Sequence, residues 1–128
     1  MPRIYLLLAA LFGFSGVALG AFAAHGLKAH LSAEYLVVFH TAVQYQMIHA
    51  LALFGVGLLA LLRPSRLVSF AGSLFTLGTL LFSGSLYALT LSGITALGMV
   101  TPLGGVAFLA GWACLGVAAW QLPGRYEP

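Results

Sequence analysis

Four long apolar runs, separated by short polar breaks, make up almost the whole chain. Each run approaches the roughly 20 apolar residues that an α-helix needs to cross a bilayer. A membrane barrel would alternate apolar and polar positions, whereas these runs are apolar all round, so the pattern predicts helices. The expected spans are about Ile4–Ala24, Ala33–Leu62, Leu67–Leu91 and Leu103–Leu122. Ser32 is a good N-cap for the second, and Glu34 suits the positive end of its dipole. Pro64, in Arg63-Pro64-Ser65-Arg66, ends that helix by disfavouring helical geometry at the residue before it. Ser92-Gly93 and Thr101-Pro102 bracket a loop or partial turn, and Pro123-Gly124 stops the last helix. The second helix would be roughly 45 Å long at 1.5 Å per residue, more than the roughly 30 Å of hydrocarbon, so it must project or tilt. The fold class expected is all-α: an integral membrane four-helix bundle forming one domain over residues 1–128.

Composition sharpens this. Apolar residues make up 62% of the 128 positions and charged residues 5%, against roughly 25% charged in soluble domains. Mean hydropathy is +1.08. The net charge of +3 comes from five Lys and Arg and two Asp and Glu, with no clustered basic face, which excludes nucleic acid as a partner. The lipid bilayer is the partner implied. Arg3, the run Ile4–Leu19 and Ala21-Phe22-Ala23 resemble a secretory signal peptide, but we read this segment as the first transmembrane helix. Arg3, Arg63, Arg66 and Arg125 fall on one side of the predicted topology and Lys28 alone on the other. The positive-inside rule therefore predicts cytoplasmic termini and an outward-facing His25–Ser32 loop. Cys114 is the only cysteine and reads as a small packing residue.

Oil gives helices no hydrophobic reason to associate, so close packing of small residues matters. Gly16 and Gly20 form a small-xxx-small stripe, and Gly111 lies in another with Ala107. Both fit packing within the bundle, or association into a homo-oligomer or larger membrane complex. Trp112, Trp120, Tyr5, Tyr35 and Tyr126 are candidate interfacial anchors, with Tyr5, Trp120 and Tyr126 at the cytoplasmic boundary and Tyr35 at the outer one.

The polar run His40 to His49 interrupts the second helix. At about 100° per residue, His40, Gln44 and Met47 share a face, and His49 points about 180° from His40, so the two imidazoles cannot hold one metal from a straight helix. His49 is the more deeply placed. Without a partner it would cost several kcal/mol in hydrocarbon, and Ser83, Ser85 and Tyr87 on the third helix are the candidate partners. The candidate polar cluster is thus Gln44, Tyr45, Gln46, His49, Ser83, Ser85 and Tyr87. It serves either as interhelical glue or as a ligand or proton site.

Other chemistry is poorly supported. His25, Lys28 and His30 in the outer loop match no strong metal pattern, and we read them as a wet turn in which Gly26 permits left-handed geometry. No metal site is expected. Glu34 and Glu127 are the only carboxylates, and the topology separates them, which excludes paired-carboxylate catalysis. Gly13–Gly20 lacks the strand and lysine of a phosphate loop, and Ser83-Gly84-Ser85 lacks the nucleophile-elbow frame.

Four ordered motifs carry a family resemblance: Gly20-Ala21-Phe22-Ala23-Ala24-His25-Gly26-Leu27; Thr41-Ala42-Val43-Gln44-Tyr45-Gln46-Met47 with His49-Ala50-Leu51; Leu81-Phe82-Ser83-Gly84-Ser85-Leu86-Tyr87; and Thr101-Pro102-Leu103-Gly104-Gly105. Together they resemble the YgdD-like family of small bacterial inner-membrane proteins, domain of unknown function 423, over almost the whole chain. The resemblance implies a multi-spanning inner-membrane protein of three or four helices and brings no established activity. Ala23 stands where the family pattern has glycine, and Phe39-His40 departs from it before Thr41, which weakens a special role for His40. His25, Gln44, Tyr45, Gln46 and His49 match the pattern. The reading favoured is a non-enzymatic structural or accessory membrane component without a cofactor. The alternatives are a binder of a hydrophobic redox ligand, quinone or haem, and a proton or solute pathway.

Overall fold

A computed structural model describes residues 2–124. Arg125, Tyr126 and Glu127, all used in the sequence reading, lie outside the described residues. The fold is an all-α membrane bundle: α1 (Pro2–His25), α2 (Ala33–Leu62), α3 (Arg66–Ser92) and α4 (Thr101–Trp120). All four are long and apolar enough to cross a bilayer, the fourth counted together with the 3-10 segment before it. That segment, Thr95–Met99, occupies the stretch expected as a loop or partial turn, and α4 starts at Thr101 and ends at Trp120, two residues ahead of the expected span at each end.

Local chemistry sets the boundaries. The Ser32 hydroxyl accepts from the Tyr35 N–H at 3.1 Å, and Ser65 does the same for Val68 at 3.2 Å, so both caps satisfy amides that no carbonyl reaches. Gly93 ends α3 at φ +75°, a left-handed cap that glycine adopts without a Cβ penalty. Gly26 departs from the sequence reading. It sits at φ −81°, ψ −46°, in right-handed geometry, as the chain passes from α1 into the 3-10 segment Leu27–Ala29. What that position needs is space: an added Cβ would lie 2.7 Å from the Phe22 ring.

Each helix packs along its neighbour in sequence, α1 on α2, α2 on α3 and α3 on α4, while α1 and α4 share no extended contact. The central α2–α3 pair therefore carries the core, where Phe39, Leu53, Val56, Ala71 and Phe75 are fully buried. α1 also touches α3 near its start, where the Tyr5 hydroxyl donates to the Ser69 carbonyl at 2.9 Å. Tyr5 is buried, 8% exposed, which corrects its reading as a boundary anchor: it is a strut between α1 and α3. The same contact sets Arg3 at the end of the bundle that carries Arg63 and Arg66, while Lys28 lies at the other end.

α4 approaches α3 most closely at Gly104, where an added Cβ would lie 2.8 Å from the Phe82 Cα. Backbone cannot swing aside as a side-chain tip can, so Gly104→Ala should destabilise the bundle by about 1–3 kcal/mol, the usual cost of overpacking. Gly116, with nothing within 4 Å of an added Cβ, is the control, and Gly116→Ala should leave stability unchanged or slightly raised. Thermal unfolding of both variants in one detergent checks this.

Candidate functional site

Hydrocarbon offers no hydrogen-bond partners, so polar groups within the spans must meet one another or a backbone carbonyl. The structure sorts the polar cluster into separate junctions. The first is built on Gln46, 4% exposed. Its Nε2 donates to the Phe12 carbonyl of α1 at 2.9 Å and to the Ser15 hydroxyl at 2.8 Å. Its Oε1 accepts from the Tyr87 hydroxyl of α3 at 2.6 Å. A carbonyl can only accept, so the side facing Phe12 must be the amide nitrogen, and the orientation of the group is fixed. One amide thereby ties α1, α2 and α3 together. Tyr87 also packs its ring on Phe39, with centroids 5.0 Å apart.

The second junction is built on His49, 3% exposed and so shielded from lipid. Its partners are not the expected Ser83, Ser85 and Tyr87. Trp112 Nε1 on α4 donates to His49 Nε2 at 3.0 Å, and His49 Nδ1 lies 2.7 Å from the Tyr45 carbonyl one turn earlier. Indole nitrogen only donates and a carbonyl only accepts, so both bonds together require the Nδ1–H tautomer. The ring lies nearly parallel on Phe108, with centroids 3.6 Å apart and planes 8° apart, and tilts against Phe75 at 5.4 Å. Trp112 is therefore a structural donor midway along α4 rather than an interfacial anchor.

The expected serine partners bond elsewhere. Ser83 donates to the Ala42 carbonyl at 2.7 Å, a direct α3–α2 tie. Ser85 Oγ lies 2.6 Å from Thr101 Oγ1 and joins α3 to the start of α4. Tyr45 stays 38% exposed and works through its ring, tilted against Phe82 with centroids 4.6 Å apart. Gln44 joins neither junction and faces outward on α2, as does His40. His25, Lys28 and His30 are exposed at the α1–α2 end. Gly16 opposes Met47 and Gln46, Gly20 opposes Val43, and Gly111 opposes Phe75, so all three stand where helices of this chain meet.

Sequence reasoning missed Trp112, Ser15 and Thr101 as partners. For Trp112 the signal was available: a donor-only indole in mid-span needs an acceptor. Among the described residues no buried side-chain nitrogen or oxygen lacks a partner, and no three His, Cys, Asp or Glu side chains come together as metal ligands. Both His49 nitrogens are engaged, which leaves none for a haem iron. A groove of about 200 Å³ between α1 and α3 lies over Gln46 and Tyr87, smaller than the roughly 300–1,000 Å³ of sites for drug-sized ligands.

The family model "Protein of unknown function (DUF423)" matches residues 19–105, a stretch that holds Gln46, His49, Ser83, Ser85 and Tyr87. The chain belongs to the DUF423 family. Among its relatives, UPF0382 membrane protein YwdK of Bacillus subtilis (strain 168) is 48% identical over 118 residues, covering 91% of this chain and 96% of the relative. A UPF0382 membrane protein of Haemophilus influenzae is 45% identical, covering 94% and 97%. UPF0382 inner membrane protein YgdD of Escherichia coli K12 is 44% identical over 120 residues, covering 94% and 92%. No solved structure matches. This DUF423 member is thus a small multi-spanning membrane protein.

Gln46→Leu should destabilise the bundle by about 1–3 kcal/mol, because Tyr87 and Ser15 lose their shared partner. The His49–Trp112 pair should show a coupling of about 0.6–1.7 kcal/mol in a double-mutant cycle of His49→Phe and Trp112→Phe, read by unfolding in detergent. Strictly additive losses would remove that bond from the account.

Proposed function

We propose that this chain is a non-enzymatic structural or accessory component of the inner (cytoplasmic) membrane, acting through its helix surfaces rather than an internal reaction site. The observation that carries this reading is the commitment of Gln46 and His49. Their polar atoms tie α1, α2, α3 and α4 to one another, which is the work of interhelical glue. A proton pathway needs groups that exchange partners, and a redox-ligand site needs donors aimed into a cavity. Both readings would have to break these junctions. The gathering of Arg3, Arg63 and Arg66 at one end supports an orientation with that end in the cytoplasm.

Native mass spectrometry from mild detergent tests the reading, because it reports subunits and retained small molecules together. The expected particle is an assembly, either of this chain with itself or with another membrane protein, carrying no quinone or haem. A bare single chain, or one retaining stoichiometric quinone or haem, would contradict it.

A further inference from the structure

The glycine stripes of α1 and α4 are used up inside the bundle, yet one face of α2 has no partner. Val37, Gln44, Leu51 and Leu58 recur every seven residues and all are exposed; Phe54 and Leu61, three residues on from Leu51 and Leu58, are exposed too. The opposite face of α2 supplies the buried Phe39, Gln46, Leu53 and Val56. A sevenfold spacing of this kind is the seam of a left-handed pair of helices. The row Val37, Gln44, Leu51 and Leu58 is exposed throughout, while the row beside it is interrupted at Met47, which packs on Gly16 of α1.

Gln44 is the one polar member of that sevenfold row. It takes part in none of the bonds that tie the helices of the chain together. It lies roughly 16 Å along α2 from Ala33, and a helix of roughly 45 Å centred on a roughly 30 Å core overhangs by only roughly 8 Å at each end. Its amide is therefore within the hydrocarbon, where an unpaired amide costs several kcal/mol.

We propose that a second copy of this chain covers the face, forming a parallel two-fold dimer along α2 with Gln44 paired to its own image. Three features favour a copy over an unrelated partner. The bias of Arg3, Arg63 and Arg66 to one end favours the same orientation for every copy, so two α2 helices run parallel. A two-fold axis along the membrane normal sets each residue of a sevenfold seam opposite itself. An amide, donor and acceptor at once, is complementary to its own image, as a lone carboxylate or ammonium is not. The inference rests on the accessory-component reading and deepens it by naming the partner.

The test is cysteine cross-linking of the full chain in native membranes, on a Cys114→Ala background. Gln44→Cys and Leu51→Cys should cross-link to dimers, whereas Val17→Cys on α1 and Leu109→Cys on α4, equally lipid-exposed, should not. Separately, Gln44→Leu should weaken self-association roughly 3- to 30-fold by fluorescence energy transfer in bilayers, the effect of losing an intramembrane amide bond. Gln44→Asn should retain most of it. Because Gln44 contributes nothing to the bundle interior, these variants should fold, and thermal unfolding verifies that they do. No α2 cross-link, equal cross-linking at the α1 and α4 positions, or association unchanged by Gln44→Leu would overturn the proposal. A stable complex with a different membrane protein and no self-cross-link would overturn it while leaving the accessory-component reading intact.

Discussion

Oil neither donates nor accepts hydrogen bonds, and this governs both what the polar residues of the chain do and where they stand. In water, Gln46 exposed on a helix would be worth almost nothing. Buried at the meeting of three helices, it organises the bundle, because its own amide and the Tyr87 hydroxyl would otherwise be orphaned in hydrocarbon. The same constraint places His49. An imidazole has one donor and one acceptor when neutral, and the bundle supplies one partner of each kind, the Tyr45 carbonyl and the Trp112 indole.

The division of labour between helices follows from this. α2 and α3 form the buried pair, and α1 and α4 are fastened to them chiefly by small-residue contact and by single polar ties: Tyr5 to Ser69, Gln46 to Phe12, Trp112 to His49, and Ser85 to Thr101. Where backbones come closest, glycine is required, as at Gly104 against Phe82. Close packing brings dispersion contacts and the polar ties fix which helix meets which. Neither alone would select this arrangement, since apolar helices in lipid have many ways to lie side by side.

Much of the architecture was legible in the chain. Unbroken apolar runs and the breaks at Ser32, Pro64 and Gly93 locate the helices, because span length and capping are local properties. That His49 must be sheltered was legible too, since the cost of an imidazole in oil does not depend on the fold. Its partner was not legible. Position along one helix gives the direction of a side chain relative to its own axis, but which neighbour lies there depends on how four helices pack. Ser83 and Tyr87 lay at a plausible depth yet met Ala42 and Gln46 instead. Tyr5 and Trp112 were misread for a related reason: aromatic residues with a polar tip suit membrane boundaries, but each here donates to an acceptor on another helix. Gly26 was read for its conformational freedom, and its small size is what the position uses.

Polar groups inside the bundle are committed to bonds between helices, and His49 is the sharpest case. Nitrogen-15 solid-state NMR of the labelled full chain in lipid bilayers tests it most directly. The expected spectrum shows a His49 ring protonated at Nδ1 and bare at Nε2, with a correlation from Nε2 to the indole N–H of Trp112. A ring protonated at Nε2, or an indole proton of Trp112 with no contact to His49, would contradict it.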